Sequence, residues 1–219
     1  MAHTNGSKSV LVVGLGRFGS SVAATLNDMG QDVLAVDNDP EIVARWSAHI
    51  PVLQADMTDA MAIEQIDAAQ FDAAVVAIGD SIEASVITAG NLLDAGLTDL
   101  WAKSVSAQHA RILRRIGARH VINAENDAGK RIGHLVSGNY LDYIEIEGMH
   151  TVVKVHTPLH VAGKTIAEAQ VHDRYGIIVV GVKSPGREFQ YGENDLVMRR
   201  NDELIIAGKQ TQIDKFLAG

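Results

Sequence analysis

Apolar positions along this chain follow two alternating rhythms. Short β-branched runs at 10–13, 33–37, 52–55, 74–78, 100–103 and 120–123 are near-continuous instead of alternating in and out, the pattern of strands buried on both faces of a parallel sheet. Between them the period lengthens to that of a helix. Phe18, Val22, Leu26 and Met29 stand at i, i+4, i+8 and i+11, with Gly30 as the stop. Ile82, Val86, Ala89 and Leu93 repeat the pattern before Gly96, and Ile112 and Ile116 mark a third helix, opened by Ser106 and closed by Gly117. Six strands with intervening helices predict a doubly wound α/β domain.

A further helical period, Ala128, Ile132, Leu135 and Val136, leads out of the last strand, and after Gly138 the rhythm changes. The remainder predicts strand, strand, helix, three strands and a closing helix. Val153 and Val155 alternate with polar neighbours, Thr165 and Glu168 form a capping-box pattern before a short helix over 166–171, and 177–182 is the strongest strand. Ser184-Pro185-Gly186 is a turn, 204–207 a strand and 211–217 a helix. The expected organisation is a nucleotide-binding domain over 8–127, a stiff helical connector over 128–140, and a smaller α+β subdomain over 141–219. Ile132, Leu135 and Val136 of the connector are expected to be exposed and to suit a partner surface.

Composition narrows the function. With no Cys, disulfides, thiolate zinc sites and cysteine nucleophiles are excluded. The formal net charge is −8 and there is no Lys/Arg run, which argues against nucleic acid as a partner. No apolar run approaches the ~20 residues of a membrane helix, and the start is short and polar. A cytosolic location without membrane insertion is therefore expected.

The chemistry concentrates at the end of the first strand. Gly14-Leu15-Gly16-Arg17-Phe18-Gly19 is G-x-G-x-x-G, placed directly after a strand and opening a helix. In that context Gly14 permits the turn, Gly16 lets a pyrophosphate approach the backbone, and Gly19 allows close helix–sheet packing, with the helix N–H groups facing the phosphates, so the first domain is expected to be Rossmann-like. Asp37 ends the second strand about twenty residues on, where a carboxylate accepts bonds from a ribose diol. Arg17 puts a full positive charge at a helix start, where the dipole disfavours a cation unless phosphates lie there. Asp56 either contacts an adenine or caps the following helix. Lys103 and Glu125 each follow a strand's carboxyl end, as ligand contacts or as halves of exposed ion pairs.

Other patterns fail. Gly163-Lys164-Thr165 ends like a P-loop, but the first glycine of that motif falls on Pro158. The nine His show no helical metal pair, and His156 and His160 flank Pro158. No G-x-S-x-G and no His–Asp or Lys–Tyr constellation is evident. A nucleotide site without catalytic partners points to sensing instead of turnover; a small NAD-dependent oxidoreductase and an NADH redox sensor are the alternatives.

The stretches Val12-Val13-Gly14-Leu15-Gly16-Arg17-Phe18-Gly19, Leu34-Ala35-Val36-Asp37, Val75-Val76-Ala77-Ile78-Gly79 and Ile116-Gly117-Ala118 resemble the KtrA/TrkA-type RCK proteins, the cytosolic regulatory subunits of potassium transporters and channels. The segment 158–182 is similar to the C-terminal subdomain of that family, present here once. The resemblance implies a homo-oligomer of dimers in an octameric ring beneath an integral-membrane potassium-conducting subunit, at the inner face of the membrane. It implies ATP or ADP as ligand, NAD or NADH in some relatives, with Mg²⁺ or another cation beside the nucleotide. Carried onto this chain, Gly14, Gly16 and Gly19 hold phosphates, Arg17 reaches a terminal phosphate, Asp37 binds the ribose, Asp56 lies near adenine, and Phe18 and Asn38 are further cofactor-binding residues. Ala77, Ile78 and Gly79 line the ligand, Lys103 faces a phosphate, and Glu125 acts through the nucleotide-bound cation. Some relatives bind cyclic di-AMP through an Arg and an Asn around a Tyr-Gly pair. Here His172 and Ile178 stand at those positions around Tyr175-Gly176, a departure that speaks against cyclic di-AMP.

Overall fold

A computed structural model describes residues 6–146 and 150–219. The chain divides into two compact units, Met1–Glu125 and Asn126–Gly219.

The first unit is built on strands β1 (Ser9–Val13), β2 (Asp32–Asp37), β3 (Val52–Gln54), β4 (Ala73–Val76), β5 (Leu100–Lys103) and β6 (His120–Ile122). They form one sheet in the order β3-β2-β1-β4-β5-β6, every pairing parallel. This is the doubly wound order, whose crevice opens where the winding reverses, between β1 and β4. Strand β1 explains its own apolar run. Leu11 and Val13 join the core on one face, Val10 and Val12 the core on the other, and all four are buried. An in/out alternating strand at that place would strand polar groups in one of the two cores.

Helices α1 (Arg17–Asp28), α2 (Pro40–Trp46), α3 (Ala60–Ile66), α4 (Ile82–Asp94) and α5 (Ala107–Ile116) follow successive strands. The start and stop signals of α5 act as expected: the Ser106 hydroxyl accepts from His109 N–H at 3.1 Å, and Gly117 leaves the helix at φ +114°. Its buried face is different from the one its isoleucines suggest. His109, Ala110 and Leu113 point inward, whereas Ile112 and Ile116 are exposed. Hydrophobic period does not mark α2 and α3; their aspartate caps do, Asp39 accepting from Glu41 N–H and Asp59 from Met61 N–H.

Helix α6 (Ala124–Val136) begins earlier than its apolar period and ends at Val136. The second unit continues with β7 (Asp142–Glu145), β8 (His150–His156), α7 (Ile166–Ala169), α8 (Val171–Tyr175), β9 (Ile178–Lys183), β10 (Phe189–Tyr191), β11 (Glu203–Lys209) and α9 (Gln210–Ala218). Its sheet runs β10-β9-β11-β8-β7, all antiparallel. Alternation sets its faces: Val153, Val155, Leu204, Ile206 and Val182 are buried with Ile213 and Phe216 of α9. The predicted single helix over 166–171 is in fact two, because Gln170 takes a left-handed conformation (φ +48°) between α7 and α8.

Three contacts fasten α6 to this unit. Arg131 donates from Nε and Nη2 to Asp142 Oδ1 at 3.1 and 2.7 Å, His134 stacks on Tyr143 at 3.8 Å, and Leu135 packs into the core. Leu135 is therefore not part of an outward apolar surface, which on this helix consists of Ile132 and Val136. Tyr140 donates to Asp214 Oδ1 at 2.5 Å, and burial together with that carboxylate pushes the phenol's pKa up.

The capping box reads as predicted. Thr165 Oγ1 accepts from Glu168 N–H at 3.1 Å while Glu168 accepts from Thr165 N–H at 2.8 Å. Thr165→Ala is expected to cost about 1 kcal/mol, measured as a shift in denaturation midpoint; an unchanged midpoint would show that the turn holds without its cap.

Candidate functional site

All the sequence-predicted site residues lie at or just beyond the carboxyl ends of the six parallel strands, or in the first turn of a helix that follows one. That edge is where open α/β sheets bind ligands. The glycine-rich loop joins β1 to α1 as three different demands require. Gly14 sits at φ +91°, and a Cβ there would lie 3.4 Å from the Ala77 carbonyl carbon and the Ile78 nitrogen. Gly19 is buried against the loop itself: a Cβ would fall 1.8 Å from the Gly14 carbonyl oxygen and 2.8 Å from Ala77 Cβ. Gly16 is different. Its φ of −63° and ψ of −172° suit any residue, and no protein atom lies within 4 Å of a built Cβ. Nothing in the chain itself requires glycine at 16, and the missing Cβ leaves its backbone open to approach from outside.

The start of α1 repeats the message. Asp39, Asp59, Ser81 and Ser106 cap α2, α3, α4 and α5 through side chains, whereas Gly16 offers α1 none, and its first turn carries no acid. The first helical amide with an intrahelical acceptor in this turn is Ser20, bonded to the Gly16 carbonyl at 2.9 Å. The amides ahead of it, with the positive end of the dipole, suit a phosphate.

Asp37 is buried and does structural work. Its Oδ2 accepts from Leu15 N–H at 2.6 Å and its Oδ1 from Asp39 N–H at 3.0 Å. One carboxylate thus pins the glycine-rich loop to the end of β2. A carboxylate offers about four lone-pair sites, so this use leaves acceptors for a ribose diol. Asn38 is exposed, and its carbonyl accepts from Gln54 Nε2 at 3.3 Å, a link from β3 that the sequence did not flag.

Lys103 and Glu125, two separate candidates in the sequence, form one ion pair, Nζ to Oε1 at 2.7 Å. Lys103 is mostly covered, its side chain 13% exposed, and Glu125 is 62% exposed. The lysine also lies 5.8 Å from the Phe18 ring centroid, and a Cβ on Gly79 would sit 3.2 Å from Nζ. Hydrogen bonding from Lys103, with a lesser pull from Arg17, holds the Glu125 carboxyl below the usual carboxylate range. What the pair contributes is therefore present at neutral pH and fades as pH falls through that range. Phe18, Gly79, Lys103 and Glu125 are thus one group, and Arg17 acts on it through its field.

Asp56 stands apart from that group. It accepts from Thr58 N–H and Oγ1 at 3.0 and 2.7 Å in a local turn, and these bonds lower its pKa. Helix α3 is capped by Asp59, so the capping alternative for Asp56 is corrected. Among the described residues, no group of three or more His, Asp or Glu side chains is arranged to hold a metal ion. A cation here would take most of its ligands from phosphate oxygens, with Glu125 as the nearby acid.

Comparison with known proteins follows the same division. Residues 10–124 match the TrkA-N domain family and residues 150–218 the TrkA-C domain family. The chain is 33% identical over 213 residues to the Ktr system potassium uptake protein C of Bacillus subtilis (strain 168), covering 95% of this chain and 96% of that one. It is 30% identical over 214 residues to the Ktr system potassium uptake protein A of the same organism, 96% of each chain. Among solved structures, the GsuK channel superposes with a TM-score of 0.70 at 18% identity over all of this chain, which spans 40% of the channel's. The GsuK channel bound to NAD gives 0.68, also at 18% identity and 40% of that chain. At that identity the likeness speaks to fold alone.

Proposed function

The chain belongs to the family that joins a TrkA-N domain to a TrkA-C domain, and from that premise we propose that it is the nucleotide-binding regulatory subunit of a potassium uptake system. The observation that carries the ligand is the Gly16 backbone: an open, unstrained glycine at an uncapped helix start, with Arg17 beside it and Lys103 on the same edge of the sheet. ATP or ADP is the ligand class this favours. Arg17 in the first turn of α1 and Lys103 on the same sheet edge suit the added charge of a terminal phosphate, which NAD lacks. The NAD or NADH alternative rests on Asp37, which serves either ribose.

In this reading residues 8–127 bind the nucleotide, 128–140 connect, and 141–219 regulate. The subunit works as a homo-oligomer, dimers assembling into an octameric ring on the cytoplasmic side of a membrane potassium-conducting subunit. Exposed isoleucines on α4 (Ile82, Ile87) and α5 (Ile112, Ile116) support a protein partner. No helix among the described residues is long and apolar enough to cross a membrane. The nucleotide acts by binding one ring geometry better than another, a coupling of about 1–3 kcal/mol in typical allostery.

The test is a calorimetric titration of wild type and Arg17→Ala with ATP, ADP, NAD and NADH, with and without Mg²⁺. Loss of a charge-assisted phosphate contact is expected to weaken ATP about tenfold or more. Tight binding of NAD or NADH alone, indifferent to Arg17, would overturn the ATP/ADP assignment and shift the weight to a redox sensor.

A further inference from the structure

Resting on that nucleotide reading, we propose that Asn91 of α4 is a positioning residue for the base side of the site. Its amide holds the turn after β3 that carries Asp56, and so tunes affinity for the nucleoside half of the ligand and not for its phosphates. The place of that turn follows from the backbone. Asp37 pairs with Gln54 at the end of β3, and the next amide, Ala55 N–H, donates to the Asp37 carbonyl at 3.1 Å. A ribose held at Asp37 has its base beside residues 55–58, where Asp56 is exposed. Both bonds that Asp56 accepts from Thr58, at 3.0 and 2.7 Å, fall on Oδ1, which leaves Oδ2 for a donor from outside the chain.

The strand itself holds this turn weakly. β3 has 3 residues, lies at the edge of the sheet, and leaves Leu53 and Gln54 exposed. Two anchors come from elsewhere. Met57 is buried in the core, an apolar contact that fixes depth but not direction. Asn91 Nδ2 donates to the Thr58 carbonyl at 2.9 Å, and that bond is directional. Asparagine is a poor residue for a helix interior, and in α4 it follows glycine, a poorer one still. Helix propensity therefore does not account for Asn91; its bond to the turn does. A choice that breaks a local rule in this way marks a functional site. A turn already fixed loses little freedom when a base settles on it, whereas a loose one must be ordered by the ligand.

The experiment measures affinity for ADP and for pyrophosphate with wild type, Asn91→Leu, Asn91→Asp, Asp56→Ala and the Asn91→Leu/Asp56→Ala double variant. Thermal melts check folding, and exchange of the Thr58 amide is followed in the free proteins. Asn91→Leu removes the donor at similar size, and Asn91→Asp sets an acceptor against the Thr58 carbonyl. Both are expected to exchange the Thr58 amide faster and to bind ADP about three- to tenfold more weakly, with pyrophosphate bound as by wild type. The double variant is expected to bind ADP no more weakly than Asp56→Ala alone, because Asn91 acts through the turn that places that carboxylate. Where pyrophosphate binds none of the proteins, the double variant decides. Equal weakening of ADP and pyrophosphate, or an Asn91→Leu loss that persists in full without Asp56, makes Asn91 a structural residue only and overturns the proposal. Wild-type ADP affinity in both Asn91 variants overturns it as well. Wild type that binds neither ADP nor ATP overturns the nucleotide reading and the base side with it, a result distinct from wild-type binding that the Asn91 variants leave unmoved.

Discussion

Gly19→Ala is expected to destabilise the first unit by about 3 kcal/mol or more, lowering its melting temperature by roughly 10 °C. The reason is distance. The new methyl would fall 1.8 Å from the Gly14 carbonyl oxygen and 2.8 Å from Ala77 Cβ. Backbone and a buried methyl just past the end of β4 offer no flexible end to swing aside, so α1 must lift from β1 and β4, and the uncapped amides move with it. Gly16→Ala is the matched control. Its backbone suits alanine and its methyl meets no protein atom within 4 Å, so stability is expected to hold or rise by a few tenths of a kcal/mol. Nucleotide binding is nevertheless expected to be lost, because the methyl takes the volume a phosphate needs. Thermal melts and titrations of both variants separate helix packing from ligand contact. Wild-type melting of Gly19→Ala would refute the packing role, and wild-type binding by Gly16→Ala would refute phosphate contact at that backbone.

How much of this the sequence disclosed depends on the range of each cause. The glycine loop and Asp37 were legible because what they answer is local: a turn, a helix start and a strand end within about twenty residues. The Lys103–Glu125 pair was not. Each residue stood out at a strand end, but only the adjacency of β5 and β6, Lys103 paired with Ile122, brings them together. The face of α5 misled for another reason. Isoleucines normally point inward, yet here a histidine, an alanine and a leucine fill the interior, and Ile112 and Ile116 are left outside. Period alone cannot tell a core from a surface that another protein covers. Asp56 and Asp59 are three apart and equally suited to capping. Only the backbone at Asp59, extended at φ −84° and ψ 117°, decides between them. The two-helix break at Gln170 has no sequence mark, since glutamine seldom adopts positive φ.

Asp37→Ala should remove two functions with one substitution. The carboxylate accepts from Leu15 N–H at 2.6 Å and Asp39 N–H at 3.0 Å, and Leu15 is buried, 3% exposed. Without its acceptor, the Leu15 amide is left unpaired away from water, a loss of about 1–3 kcal/mol. Asp37→Asn should recover only part of it, because an amide presents one oxygen and one NH₂ to two N–H donors. Both variants are expected to lose nucleotide affinity even at temperatures where they remain folded, as the loop that carries Gly16 is no longer held to β2. Denaturation midpoints and titrations at low temperature check this. Full stability in Asp37→Ala with binding lost would assign the carboxylate to the ligand alone; full binding with stability lost would assign it to the loop alone. The geometry predicts that both fall together. That outcome would give an acid about twenty residues after the first glycine two causes at once: it steadies the glycine-rich turn, and under the proposed function it keeps lone pairs free for a ribose.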